Sequence, residues 1–527
     1  MKKIVTLLLV STFTTAAFAQ SKQNIEKLGT LLNIIKFAYV DSTKEDKLVE
    51  DAINGMLEQL DPHSVYIPAK DLREMNEPLE GSFEGIGVQF NILHDTITVI
   101  SPIVGGPSEK LGITSGDKII RINGVNMAGV KIKNEDVFKK LRGVKGTKVT
   151  VTCLKAGAQR EEVDYTITRD KIPVYSIEAS YMIDNKVGYI KLSRFAQTSH
   201  DEFVKAMTKL RKEGMQDLIL DLNDNGGGYL HIADALADEF LTDGKTIVYT
   251  QGIQSPKVVN KATSKGQFEK GRLVIMVDEG SASASEIVSG AVQDWDRGLI
   301  VGRRTFGKGL VQKPFNLPDG SMVRITTARY YTPVGRCVQK DYEGAGEKYF
   351  SDLNNRYKNG ELFSADSIKF PDSLKFKTPN NRIVYGGGGV MPDVFVPLDT
   401  TGGSAYALAL ARKNCWGLFA LKYYTNERKA LVAKYPTGKD FVKQFVCTAE
   451  LMEQLFAFAE GEGVKRNMEG YAKAKNLIDT RLKADIAQKM YGNDAFYEVV
   501  NTLEPIYGKA IQALQQDNFK KYKIQQQ

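Results

Sequence analysis

Between residues 186 and 400, short apolar runs alternate with amphipathic stretches, and that alternation directs the chain towards an α/β core. Val187-Gly188-Tyr189-Ile190 predicts a strand, and residues 201–212, with Phe203, Met207 and Leu210 along one side, predict a helix. Leu218-Ile219-Leu220-Asp221-Leu222 predicts a buried strand running into the glycine turn of residues 225–228. A helix is expected over residues 232–241. Residues 273–277 predict another strand, aimed at Gly280-Ser281-Ala282-Ser283-Ala284-Ser285-Glu286, and a helix is expected over residues 283–295. A strand at 299–301 precedes the turn Gly307-Lys308-Gly309, and residues 311–331 predict a hairpin about Pro318-Asp319-Gly320.

Two of these turns carry reactive groups. Ser283 falls at the first turn of a helix, where free N–H groups and the positive dipole end suit an oxyanion. Its small neighbours, Ala282 and Ala284, leave room for a substrate backbone. A serine needs a base to take its proton. The whole chain has four histidines, His63, His94, His200 and His231, and none sits in these turns. Lys308, between two glycines and after Phe306, is the candidate instead. Moving a lysine from about 10.4 to near 7–8 by burial takes about 3 pK units, or roughly 4 kcal/mol, within reach of desolvation. Gln312, four residues on, is placed to orient the amine. For the oxyanion hole, the expected donors are the N–H groups of Gly227, with Gly228 as the open alternative, and of Ala284. Ser115-Gly116-Asp117-Lys118 also matches S-x-x-K, but it lies in a hairpin region without a helix and reads as structural.

The rest of the chain bounds the setting. Lys2 and Lys3, an apolar run over residues 4–10 and Ala17-Phe18-Ala19 read as an export signal cut after Ala19. Its removal lowers the net charge from +8 to +6, since it holds two lysines and no acid. With charge so mild and interspersed, nucleic acid is not an expected partner. The expected location is the periplasm or cell envelope. Cys153, Cys337, Cys415 and Cys447 lack C-x-x-C spacing, so no zinc site is expected, and mostly free thiols are. Residues 24–60 predict two helices, with Ile25, Leu28, Leu32 and Ile35 on one stripe and Val49, Ala52, Ile53, Met56 and Leu60 on the other. Residues 341–385 are polar and read as an insertion. Residues 404–527 are lysine-rich and helical.

Residues 82–170 change to short strands and glycine turns. Gly85-Ile86-Gly87-Val88 opens a strand, residues 108–111 suggest a short helix, and Asn123-Gly124 is a hairpin signal. This stretch resembles a PDZ domain of the bacterial protease type. The resemblance implies that Gly85, Ile86, Gly87 and Val88 form the loop whose N–H groups hold a peptide's C-terminal carboxylate.

The whole pattern resembles the C-terminal processing peptidases, or tail-specific proteases. The matching pieces are Leu60-Asp61-Pro62-His63, the PDZ-like stretch, residues 221–228, 280–286 and 305–312, Tyr330-Tyr331-Thr332-Pro333-Val334-Gly335-Arg336, and Gly389-Val390-Met391-Pro392-Asp393. The resemblance implies a multidomain α/β fold: a ClpP/crotonase-like β–α spiral core with an inserted PDZ-like domain and helical N- and C-terminal regions. The expected parts are a signal peptide at 1–19, a helical region at 20–81, PDZ at 82–170, the protease core at 171–403 and a helical tail at 404–527. It implies Ser283 as nucleophile, Lys308 as base and Gln312 as orienting residue, with no metal or cofactor. Family members usually have Arg where Asn223 stands, and often Pro where Gly226 stands. The expected function is a serine endopeptidase that binds unstructured protein C-termini, with a homo-oligomer left open. A catalytically inactive, peptide-binding scaffold of the same fold is the alternative, disfavoured because serine, lysine, glutamine and glycine loop are all intact.

Overall fold

The structure is a computed structural model that describes residues 22–103, 105–156, 161–342, 349–515 and 518–524; the expected signal peptide lies outside them. The chain divides into two compact units.

Of the described residues, the smaller unit takes 22–72, Gln312–Thr326, Tyr342 and Tyr349. Residues 22–38 are helical, and a second helix covers Glu45–Glu58. Asp61 closes the pair: its carboxylate accepts the N–H groups of His63 (2.8 Å) and Ser64 (2.9 Å) and the Ser64 hydroxyl (2.6 Å). The strand Val65–Ile67 then pairs antiparallel with residues 322–324 of the expected hairpin.

In the larger unit a six-stranded sheet runs in the order Ile177–Met182, Val187–Leu192, Asp217–Asp221, Leu273–Val277, Leu299–Gly302, Val394–Phe395. The first strand is antiparallel to the second; from the second onward every pair is parallel. Strand residues alternate between faces. Leu218, Leu220 and Ile275 face one core, shared with the helices Ser199–Lys212, Leu230–Asp238 and Ala284–Asp294. Ile219, Val274 and Met276 face another, filled by Ile506, Tyr507, Leu514 and Phe519 of the C-terminal tail. Covered on both faces, the central strands have no polar side, which is why they read as unbroken apolar runs.

The PDZ region is a separate sheet, in the order Val88–Leu93, Thr96–Pro102, Lys118–Ile122, Lys148–Leu154, Glu162–Thr168, around Ile97, Val99, Ile119 and Val151. The Asn123-Gly124 turn takes positive φ at both residues, as a tight hairpin demands. Val88–Leu93 is an edge strand. The tail helices hold their own core, including Phe419, Phe441, Leu455 and Phe456. Four of them begin at side-chain caps: Ser404, Thr437, Thr448 and Asn467 each accept an N–H three residues on. No helix among the described residues is long and apolar enough to cross a membrane. All four cysteines are free.

Candidate active site

Parallel strands deliver their following loops to one edge of a sheet. Here the loops after Asp217–Asp221, Leu273–Val277 and Leu299–Gly302 bring together residues 222–228, 278–283 and 303–309.

Ser283 is the residue before the helix Ala284–Asp294, and its backbone is strained, with φ 55° and ψ −109°. Such a conformation costs about 1–3 kcal/mol in a non-glycine residue. It is held by the helix that follows it: Ser283 N–H donates to the Glu286 carboxylate at 2.9 Å, and Ser283 O accepts the N–H groups of Glu286 (2.9 Å) and Ile287 (3.0 Å). A hydrogen bond to a charged group contributes about 1.5–3 kcal/mol, enough to offset the strain. The neighbouring serines differ. Ser281 and Ser285 are fully buried. Ser281 Oγ donates to Leu222 O (2.8 Å), and Ser285 Oγ to Asn225 O (2.8 Å), so both staple the serine loop to the glycine loop. Only Ser283 of the three is partly exposed.

Glu286 was missed as a functional residue in the sequence, although Ser-x-x-Glu at a helix start is a capping signal. It is fully buried. One carboxylate oxygen accepts Ser283 N–H (2.9 Å) and Lys308 N–H (2.8 Å); the other accepts Thr305 Oγ1 (2.5 Å) and Gly307 N–H (2.7 Å). Burial raises its pKa, against the pull of these four donors. Tyr330 makes a second bridge: its hydroxyl donates to Lys308 O at 2.5 Å and lies 3.1 Å from Ser283 O. The main chains of Ser283 and Lys308 are thus tied together twice.

Gly227 has φ 99°, and a Cβ on it would lie 2.9 Å from Ser283 Cβ and 3.0 Å from Ala284 N. The glycine is therefore what lets its loop lie against Ser283. The Gly227 N–H donates to Asn225 Oδ1 at 2.9 Å, so it is committed within its own turn. The short Asn side chain two residues back competes for the donor, an Asx-type bond that spacing alone does not rule in or out. Gly228, with φ 154° and no room for a Cβ against Phe195 O, remains as the alternative beside Ala284. Gln312 lies in the smaller unit, where its Nε2 donates to Thr326 Oγ1 at 3.1 Å.

The histidines are engaged elsewhere. His200 pairs with Glu239 (2.8 Å) and His94 with Glu462 (3.7 Å), while His231 Nε2 lies 3.2 Å from Gln197 Oε1. In the smaller unit His63 Nε2 is 2.8 Å from the Tyr349 hydroxyl. Other residues of the sequence motifs are structural. Arg336 and Asp294 form a fully buried ion pair at 2.7 Å, and Asp393 binds Arg382 at 2.6 Å. No group of three or more His, Cys, Asp or Glu among the described residues could hold a metal ion.

In the PDZ region Gly87 has φ 73° and Ile86 is buried. The carbonyls of this loop are turned inward: Ile86 O accepts Ser108 Oγ (2.6 Å), and Gly87 O accepts Ile103 N–H (2.9 Å). The loop leads directly into Val88–Leu93, an edge strand of the kind to which a peptide can add.

A strained serine at a helix start, tied to a lysine turn at the carboxyl edge of an α/β sheet, fits a serine-type hydrolase. Comparison with known proteins carries this further. The family described as Peptidase family S41 matches residues 186–345, PDZ domain matches 74–154, and Activating protease CtpB N-terminal domain matches 10–71; a family of unknown function matches 406–492. The chain is 37% identical to the Carboxy-terminal processing protease CtpA of Bacillus subtilis over 60% of its own length and 66% of the relative's. It is 34% identical to the Carboxy-terminal-processing protease of Bartonella bacilliformis, over 63% of its own length and 76% of the relative's. Among solved structures, the photosystem II D1 C-terminal processing protease is 27% identical with a TM-score of 0.36, covering 69% of this chain and 91% of that one. The chain belongs to peptidase family S41, the serine-type carboxy-terminal processing proteases.

Proposed function

We propose that this chain is an exported endopeptidase of the periplasm or cell envelope, freed of residues 1–19, that cuts proteins carrying free, unstructured C-termini. Ser283 is the nucleophile and Lys308 its base. Lys308, as the neutral amine, takes the Ser283 hydroxyl proton while Oγ attacks the scissile carbonyl. The Ala284 N–H and the positive end of its helix meet the oxyanion, with Gly228, or Gly227 once it leaves Asn225, as the second donor. The lysine passes its proton to the leaving amine, then deprotonates the water that hydrolyses the acyl-enzyme. Gly85, Ile86, Gly87 and Val88 grip the substrate's terminal carboxylate. A homo-oligomer belongs to the same reading, favoured by Ile25, Leu28, Leu31, Ile34 and Phe37, which are exposed along the helix of residues 22–38.

The observation that carries the reading is Glu286, whose single oxygen accepts the main-chain N–H of both Ser283 and Lys308. The test is a fluorophosphonate probe together with cleavage of an unfolded protein. Ser283→Ala should abolish labelling and cleavage, while Ser281→Ala and Ser285→Ala, which loosen the loop but keep the nucleophile, should slow both without abolishing either. Lys308→Arg should be as inactive as Lys308→Ala, since arginine keeps its proton. Cleavage by Ser283→Ala, or a tenth of normal activity in Lys308→Arg, overturns the assignment. Amidating the substrate's C-terminus should slow its cleavage; equal rates would remove the tail-reading role.

A further inference from the structure

We infer that Lys191 is a positioning residue of this site: its ammonium fixes the start of the glycine loop beside Ser283, braced from behind by the C-terminal tail through Tyr507 and Tyr189. The inference rests on the proposed place of Ser283 and that loop in catalysis.

Lys191 pairs with Asp221 in the parallel register of their strands. Its side chain is only 11% exposed. Nζ donates to Asn223 O at 2.7 Å and to Asp221 Oδ1 at 3.2 Å. The same Oδ1 accepts Asn223 N–H at 2.8 Å. Residue 223 is therefore held at both its N–H and its C=O by one buried ion pair. Its own side chain does not help, because Asn223 Oδ1 is buried without a hydrogen-bond partner. The next residue of Lys191's strand adds to the grip: Leu192 O accepts Asn225 Nδ2 at 2.8 Å. Beyond it, Asn225 O accepts Ala282 N–H (2.9 Å) and Ser285 Oγ (2.8 Å), on either side of Ser283. Lys191 thus sits at the root of the segment that reaches the nucleophile from the strand Asp217–Asp221.

The brace comes from the far face of the sheet. Asp221 Oδ2 accepts the Tyr189 hydroxyl at 2.6 Å. Burial, then the Asp221 carboxylate, raises this phenol well above its usual range, so it stays a donor. The Tyr189 ring packs against Tyr181 (4.9 Å between centroids) and edge-on against Tyr507 of the tail (5.5 Å). Tyr181 in turn donates to the Tyr507 hydroxyl at 3.2 Å and accepts Asn501 Nδ2 at 3.0 Å. Residues 501 and 507 belong to the tail, so a hydrogen-bonded and packed path joins it to the loop.

A reacting group misplaced by about 1 Å costs on the order of 10²-fold in rate. The test uses the full chain and an unfolded protein substrate, reading kcat, KM, the rate of fluorophosphonate labelling, and Tm. Lys191→Met should lower kcat and labelling by roughly 10²-fold with KM changed less than about threefold, because the loss is in the transition state. Lys191→Arg, which keeps a charged donor, should recover most of both. Tyr189→Phe keeps the ring and loses one hydroxyl, and should lower kcat about tenfold; it decides the matter if Lys191→Met does not fold. Tyr507→Leu should also lower kcat. Near-normal kcat in Lys191→Met or Tyr189→Phe, or losses that follow Tm alone and are not recovered by Arg, overturn the inference; near-normal kcat in Tyr507→Leu removes the tail from it. Ser283→Ala separates the two levels: if it is inactive while Lys191→Met is not, only this inference fails.

Discussion

At the residue scale Glu286 ties the site together: it serves four donors from the serine loop and the lysine loop. Glu286→Gln keeps the shape but replaces one acceptor with an amide that faces N–H groups. Leaving buried donors unmatched costs about 1–3 kcal/mol. We expect a Tm drop of several degrees together with a kcat loss of about 10²-fold, since both proposed reactive residues shift. Calorimetry and single-turnover kinetics check this, and normal kcat would break the link between Glu286 and the site. Asp278, which accepts the N–H groups of Asp224 (2.9 Å), Gly280 (3.0 Å) and Ser281 (3.1 Å), is pushed up to about 6, chiefly by burial. An unfolded aspartate titrates near 3.9. The folded chain therefore binds this proton more tightly, and stability falls as pH rises from about 4 to about 6, by up to ~3 kcal/mol. Urea unfolding across that window should show a shallower slope for Asp278→Asn than for wild type.

At the scale of elements, the loops are set by glycines where no side chain fits. Gly227→Ala would force a Cβ to 2.7 Å from Ala282 O and 2.9 Å from Ser283 Cβ at a φ of 99°. Both the clash and the positive φ oppose it, so we expect a loss of more than about 2 kcal/mol and of nearly all activity. A purified Gly227→Ala protein of wild-type rate and Tm would contradict the placement of this loop. Between 187 and 302 the core-sheet strands and the helices between them were legible because those strands are mostly apolar and their turns carry glycine or serine signals; Thr246–Gln251 and Val258–Lys261, which mix polar and apolar residues, were not. Nor was the partner of the Gly227 N–H. Asn225 can turn its side chain to solvent or back to the main chain, and packing chooses between two bonds of similar strength.

For the whole molecule, the tail is part of the fold that carries the site. Ile506, Tyr507, Leu514 and Phe519 are buried against the core sheet. Each such side chain contributes about 1.5–3 kcal/mol, so together they approach the entire stability of an ordinary domain, about 5–15 kcal/mol. A chain ending before Pro505 should therefore be insoluble or lack a cooperative melt, as expression and calorimetry would show; a soluble, active truncation would refute this. The sequence by itself determined the α/β class and the PDZ-like stretch and singled out Ser283 and Lys308 as candidates, because those depend on local periodicity, turn chemistry and residue type. It did not reveal the second face of the sheet, the buried carboxylate joining the two loops, or the lysine beneath the glycine turn. Those are contacts between residues far apart in the chain: Tyr189 with Tyr507, Glu286 with Lys308, Lys191 with Asn223. Only the parallel stacking of the strands, which gathers their C-terminal loops at one edge and presents the opposite face to the tail, decides which of those groups meet.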